Sequence, residues 1–276
     1  MTTQTILSRA IAGDRFDDLQ IIDCHNHMGP VYNFYNPPAE IEDMLHDADQ
    51  LGVTRLCVAP NIALFCDCLL GNDQVDEAAR RYPERVWAYL TLNGNQPAEI
   101  TAQFEQHYGQ AHFIGVKLHP STYKYSAAGE NYRLVYERLT RQGGFVLIHS
   151  WDDCPYANLD LCEQAIRAFP QVPFILAHAG GIPSGVEKSI RVVNIYPNAF
   201  LDTSGFEFSH TWIETIVARA DNTKILYGSD MPFHDMRGGI SRILFADLAD
   251  EVKTAILGGN FRQMLRLNPR RHRDQG

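Results

Sequence analysis

Short apolar runs alternate along this 276-residue chain with longer stretches whose apolar residues recur at helical spacing. The first run, Gln20–Ile21–Ile22–Asp23–Cys24–His25–Asn26–His27, reads as a strand. It leads into a Pro-, Asn- and Tyr-rich loop over Met28–Pro38, long enough to carry function. Ile41, Leu45, Ala48 and Leu51 then share one helical face, and Gly52 follows as a stop. Leu56–Cys57–Val58–Ala59 is the core of a second strand, Asp73–Tyr82 a helix closed by Pro83, and Val86–Leu92 a third strand. Further strands are predicted at Phe113–Leu118, Phe145–Ile148, Phe174–Ala177, Ala199–Asp202 and Ile225–Tyr227. Helices fall between them at Pro97–His107, Tyr132–Gln142, Leu159–Phe169, Gly185–Ile195 and Trp212–Ala220, with Leu248–Leu257 and Phe261–Leu267 as the last.

Apolar strands that alternate with amphipathic helices imply a parallel sheet, because each return crossing has to pass over a sheet face. Eight such units most simply close into a (β/α)8 TIM barrel, an α/β fold of about 250 residues. A doubly wound open sheet is the competing architecture, but no glycine-rich phosphate loop follows the first strand. No internal repeat, low-complexity segment or linker divides the chain, so residues 1–276 read as one domain with a basic tail from about 269.

Composition narrows the function. A hydrophobic fraction of 45% and a charged fraction of 21% are those of an ordinary globular protein. The net charge of −9 argues against a nucleic-acid partner, and the one basic cluster, Arg270, Arg271 and Arg273, reads as a solvated tail. No stretch approaches the roughly 20 apolar residues of a membrane helix, and Met1–Asp14 lacks the continuous apolar core of a secretory signal. A cytoplasmic protein is expected. Six cysteines at uneven spacings are then reduced thiols, and Cys66-x-Cys68 alone is a weak metal signal.

The chemistry lies where the strands end. In an extended strand His25 and His27 project to one side, with Asp23 a step deeper on that side and Cys24 and Asn26 facing away. The fourth strand ends in Lys117 and His119, the fifth in His149, the sixth in His178, and the eighth runs through Gly228 and Ser229 into Asp230. A closed barrel brings all of these to one rim, where catalytic groups of this fold sit. One histidine after an apolar run is ordinarily a hydrogen-bonded structural residue; several on one rim, joined by a carboxylate, are the N and O donors that suit a divalent ion.

His25-x-His27, His149, His178-Ala-Gly-Gly and Gly228-Ser-Asp230-Met-Pro232 together resemble the amidohydrolase superfamily, in particular the amidohydrolase-related branch that includes aminocarboxymuconate-semialdehyde decarboxylase. Gly258–Gly259–Asn260–Phe261 is similar to that family's last turn, so the resemblance spans nearly the whole chain. It implies a distorted TIM barrel whose divalent metal is held by His25, His27, His149 and Asp230, with Asp230 also the general base. His178 would polarise the substrate carbonyl. One Zn2+ is the expected ion, with Mn2+, Fe2+, Co2+ or Ni2+ as alternatives. In binuclear members a carboxylated lysine at the position of Lys117 bridges two ions and the sixth-strand histidine serves the second. Lys117, His178 and His119 are therefore candidates for a second metal or for substrate.

Aromatic residues following the strands, Tyr32, Phe34, Tyr35, Tyr123, Tyr125, Trp151, Phe206 and Phe233, are divided between loop packing and substrate contact, with Trp151, Tyr123 and Phe233 as the pocket candidates. The expected activity is hydrolysis of an amide, ester or lactone carbonyl in a small, carboxylated substrate. The alternative on the same scaffold is nonoxidative decarboxylation of an unsaturated or aromatic carboxylic acid, and a catalytically silent metal-binding barrel is a third reading. A homodimer is an expectation from the resemblance alone.

Overall fold

Eight parallel strands pair in chain order in the computed structural model, which describes residues 4–32, 39–205 and 211–270. They are β1 (Ile21–Met28), β2 (Val53–Pro60), β3 (Val86–Thr91), β4 (Phe113–Leu118), β5 (Val146–His149), β6 (Phe174–Ala177), β7 (Ala199–Asp202) and β8 (Ile225–Leu226). The ring closes through the backbone that continues beyond β8: Cys24 N–H donates to Tyr227 O at 3.0 Å, Asp230 N–H to His25 O at 2.8 Å and His27 N–H to Met231 O at 2.6 Å. Phe34, Tyr35, Phe206, Arg271 and Arg273 lie outside the described residues.

Alternation along the strands sorts the apolar residues into two cores. Leu56, Val58, Val116, Ile148, Leu176 and Leu201 face the helices, whereas Cys57, Tyr89, Phe145, Leu147, Ile175, Phe200 and Leu226 fill the ring. These inner side chains are at most 4% exposed. Burial of a large apolar side chain contributes about 1.5–3 kcal/mol, so the interior is a packed core and leaves only the rim for chemistry. The far end is stoppered by Phe261 and Met264 of the helix Asn260–Met264. Phe261 meets Phe145 edge-on at 5.6 Å. Just before it, Gly258 passes so close to β1 that a Cβ would lie 2.2 Å from Gln20 O.

Element boundaries differ from the sequence expectation where local chemistry overrides the apolar period. The helix expected over Asp73–Tyr82 begins at Cys68, because Asp67 accepts from the N–H groups of Leu69 and Leu70 and caps it. A short helix Asn61–Phe65 precedes it, and Met236–Leu244 is a further helix capped by Asp235. The basic tail is also less free than its charge suggests: the Arg270 guanidinium lies 3.5 Å over the Tyr108 ring and donates to Tyr108 O.

Candidate metal centre at the barrel mouth

The strand pattern predicts two inward histidines on β1, and a bulge delivers them. Asp23 pairs with Leu56 and Asn26 with Val58, so β1 spends one more residue than β2 between these pairs. Simple alternation therefore fails there. Cys24 packs into the ring interior, contrary to the expected outward direction, while Asp23 sits opposite Leu56 of the outer core and accepts from Ser229 N–H at 2.9 Å and His25 N–H at 3.3 Å. His25 and His27 still converge, with their Nε2 atoms 3.2 Å apart.

The β6 and β8 ends use left-handed backbone to aim their side chains. His178, Ala179 and Asp230 have φ of 59°, 44° and 63°, conformations that cost non-glycine residues on the order of 1–3 kcal/mol each and cluster at functional sites. Gly181, at φ 76°, continues the turn and lies under Trp151, whose ring would be 2.5 Å from an added Cβ. The His-Ala-Gly-Gly sequence is thus a sharp bend that seats His178 beside Trp151.

Four strand ends place their groups around His25. Its Nε2 is 3.4 Å from Asp230 Oδ1 and 2.7 Å from Lys117 Nζ, and its Nδ1 donates to Asp202 Oδ2 at 2.8 Å. His27 Nε2 is 3.3 Å from Asp230 Oδ1, while its Nδ1 donates to Ala59 O at 3.0 Å. His25, His178 and Asp230 offer ligand atoms within 4.8 Å of one another, and all three are buried. His149 stands one place farther out, with Nδ1 3.2 Å from His178 Nε2 and its ring stacked on His119 at 4.0 Å.

Burial and charge leave this set suited to a cation. Burial alone would raise Asp230, but the adjacent His25, the hydrogen bond from His27 and the charge of His178 hold it well below the usual carboxylate range. The same balance, with burial opposed by His25, puts Asp202 at about 2. Burial lowers His178 to about 4 and also depresses His25 and His27, and it lowers Lys117 to about 8 against the pull of Asp230 and Asp202. At neutral pH the imidazoles are therefore uncharged and the carboxylates ionised, the protonation states a divalent ion needs. The donor set fits such an ion.

A cavity of about 220 Å³ opens over these groups, lined among others by Lys117, His119, Trp151, Phe233, His234 and Phe65. His119 lines it and at the same time uses Nδ1 as an acceptor for Thr122 at 3.0 Å from Oγ1. Tyr123, expected in the pocket, lies outside this cavity: its hydroxyl donates to Ala63 O at 2.6 Å and it lines a neighbouring recess. Tyr125 packs edge-on against Tyr132 at 5.0 Å, away from the site. Asp202, Ser204, Phe65 and His234 are not predicted from the sequence. Asp202 carried the same signal as Asp230, an acid closing an apolar run, whereas Ser204 carried none.

A closed barrel with a buried His/His/Asp group at its mouth defines a class of metal-dependent TIM-barrel enzymes. The amidohydrolase family profile matches residues 22–267, and the chain belongs to that family, whose members are metal-dependent enzymes. It falls in the amidohydrolase-related branch expected from the sequence. Among solved structures it is similar to 5-carboxyvanillate decarboxylase from Sphingomonas paucimobilis (17% identity, TM-score 0.69, covering 90% of this chain and 99% of that one). It is similar also to a probable 2-pyrone-4,6-dicarboxylic acid hydrolase from Acinetobacter baumannii (14%, TM-score 0.66, 89% and 99%). A third is a dihydroxybenzoic acid decarboxylase from Polaromonas sp., solved with manganese and an inhibitor (14%, TM-score 0.66, 90% and 97%). No curated protein matches the sequence significantly.

Proposed function

We propose that this enzyme hydrolyses an amide, ester or lactone carbonyl in a small substrate, with one divalent ion at the barrel mouth. The observation that carries the reading is Asp230, an ionised carboxylate that touches His25 and His27 and also lines the cavity. His25, His178 and Asp230 would hold the ion, with His27 alongside, and zinc suits these N and O donors best. When bound, the ion supplies Lewis-acid polarisation of oxygen.

The remaining work falls to the chain's own groups. The Asp230 carboxylate takes the proton of the attacking water and returns it to the departing N or O. Lys117, protonated at neutral pH, faces the developing carbonyl anion and stabilises it. Phe65, Trp151 and Phe233 exclude water and favour a flat, compact substrate, and Lys117 is the cation within reach of a substrate carboxylate. Six free cysteines support a reducing, cytoplasmic setting, and no helix among the described residues is long and apolar enough to cross a membrane.

Decarboxylation of an aromatic carboxylate is the second reading, favoured by the aromatic lining and by the decarboxylases among the solved neighbours. A panel of lactones, amides and aromatic carboxylates, scored for ring opening or hydrolysis against CO2 release, tests both. Hydrolysis products without CO2 are expected. CO2 release from a carboxylate, with no hydrolysis, would overturn the first reading in favour of the second.

A further inference from the structure

Ser204 stands where three site residues meet. Its hydroxyl oxygen is 2.6 Å from Asp202 Oδ1, 2.9 Å from His178 Nδ1 and 3.0 Å from His25 Nδ1. A serine hydroxyl has one proton to give and two lone pairs to accept with. Asp202 Oδ1 already accepts the backbone N–H of His178 at 2.8 Å and of Ser204 at 3.1 Å, so towards the hydroxyl it is again an acceptor. The 2.6 Å separation is that of a charge-assisted bond from hydroxyl to carboxylate. The Ser204 proton is thus committed to Asp202. Its two lone pairs are left facing two ring nitrogens, and each of those must carry a hydrogen.

We propose that Asp202 and Ser204 form a positioning unit that fixes the Nδ1–H tautomer of both His25 and His178, turning the bare Nε2 of each imidazole towards the metal centre. His25 is held twice, because its Nδ1 also donates to Asp202 Oδ2 at 2.8 Å. The order passes one strand further. In metal-free protein, with His178 Nε2 bare, the 3.2 Å contact to His149 is donated by His149 Nδ1–H, which leaves His149 Nε2 bare in turn. One carboxylate at the end of β7 therefore sets the proton arrangement of imidazoles from β1, β6 and β5. Partners of this kind raise ligand basicity and commonly account for 10–100-fold in metal affinity.

The test uses metal-free full-length protein labelled with 15N in histidine, so it depends on neither a metal nor a substrate, and its failure would leave the proposed reaction standing. Long-range 1H–15N correlation spectra distinguish the two neutral tautomers, with signals assigned through His25→Gln and His178→Gln. The wild type is expected to show His25 and His178 as Nδ1–H. Ser204→Ala should release His178 to the other tautomer or to an average of both, and leave His25 held by Asp202. Ser204→Thr, which restores a hydroxyl, should restore the wild-type signals. Zn2+ affinity, read by competition with a chromophoric chelator, should fall about 10–100-fold in Ser204→Ala and recover in Ser204→Thr. An Nε2–H signal for His178 in the wild type overturns the proposal even if the alanine variant fails to fold. A Ser204→Ala spectrum and affinity identical to the wild type's would do the same.

Discussion

The barrel mouth and the seam between the helices Cys68–Arg81 and Pro97–Gln106 are built from the same residue types in opposite arrangements. At the seam each base lies against a carboxylate, with the two oxygens of Asp76 divided between His112 and Arg80. His112 Nε2 lies 2.6 Å from Asp76 Oδ1, Arg80 lies 3.1 Å from Asp76 Oδ2, and His107 Nε2 lies 3.3 Å from Asp73 Oδ1. At the mouth, ring nitrogens face ring nitrogens at 3.2 Å in two places, and one carboxylate oxygen serves both His25 and His27. Groups paired as His112 is with Asp76 satisfy one another and tie neighbouring segments together. Converging groups compete for protons, and a cation relieves that competition. Convergence, more than the number of histidines, separates a binding centre from a structural ion-pair network.

The sharpest way to break this contrast is to remove one acid from each cluster. Asp230→Asn should reduce turnover of an identified substrate by about 10²–10⁴-fold and lower metal content, whereas Asp76→Asn should leave both unchanged and cost about 1–3 kcal/mol of stability in urea unfolding. Equal losses of activity in the two variants would erase the distinction. Metal stabilisation separates the clusters next. Zn2+ at 100 times its dissociation constant should stabilise the protein by about 2.7 kcal/mol, an effect that His25→Ala abolishes and His107→Ala preserves in a thermal shift experiment.

Acid stability gives a third comparison. Burial lowers His178 to about 4 from 6.5, so the unfolded chain takes up this proton first as pH falls. The resulting stability is full above about pH 6.5 and is lost between there and pH 4. Asp23 has the opposite sign: burial raises it to about 7 from 3.8, so its contribution is full below pH 3.8 and is lost as pH rises through 7. Between pH 4 and 6.5 the two contributions oppose each other, so in metal-free protein Asp23→Asn should uncover the His178 loss and make stability in urea rise with pH over that range by a few kcal/mol. The smallest expected effects concern the cavity wall. Trp151→Ala should raise KM about tenfold, while Tyr123→Phe should leave KM unchanged and cost about 1 kcal/mol for its lost bond to Ala63 O.

Much of this architecture was legible because it repeats. Apolar runs such as Phe145–Ile148 and Phe174–Ala177 end in histidines, and eight of them with intervening helices leave few alternatives to a ring. What escaped depends on geometry that periodicity does not encode. The extra residue in β1 redirects Cys24 and Asp23, and a left-handed bend at His178 sets it beside His25 and Asp230. Tyr123 follows a rim strand as Trp151 does, yet a backbone carbonyl holds its hydroxyl elsewhere. Asp202 was visible by the rule that found Asp230; Ser204 is placed only by the chain reversal after β7, which no composition announces.

The stopper formed by Phe261 and Met264 bears on how the protein is made. The mouth's first inward histidines stand at residues 25 and 27 and its carboxylate at 230, and the floor beneath them is sealed by side chains some thirty residues later still. During synthesis the nascent ring stays unsealed until that final turn leaves the ribosome. The mouth thus rests on a settled floor only after the Asn260–Met264 helix has been released.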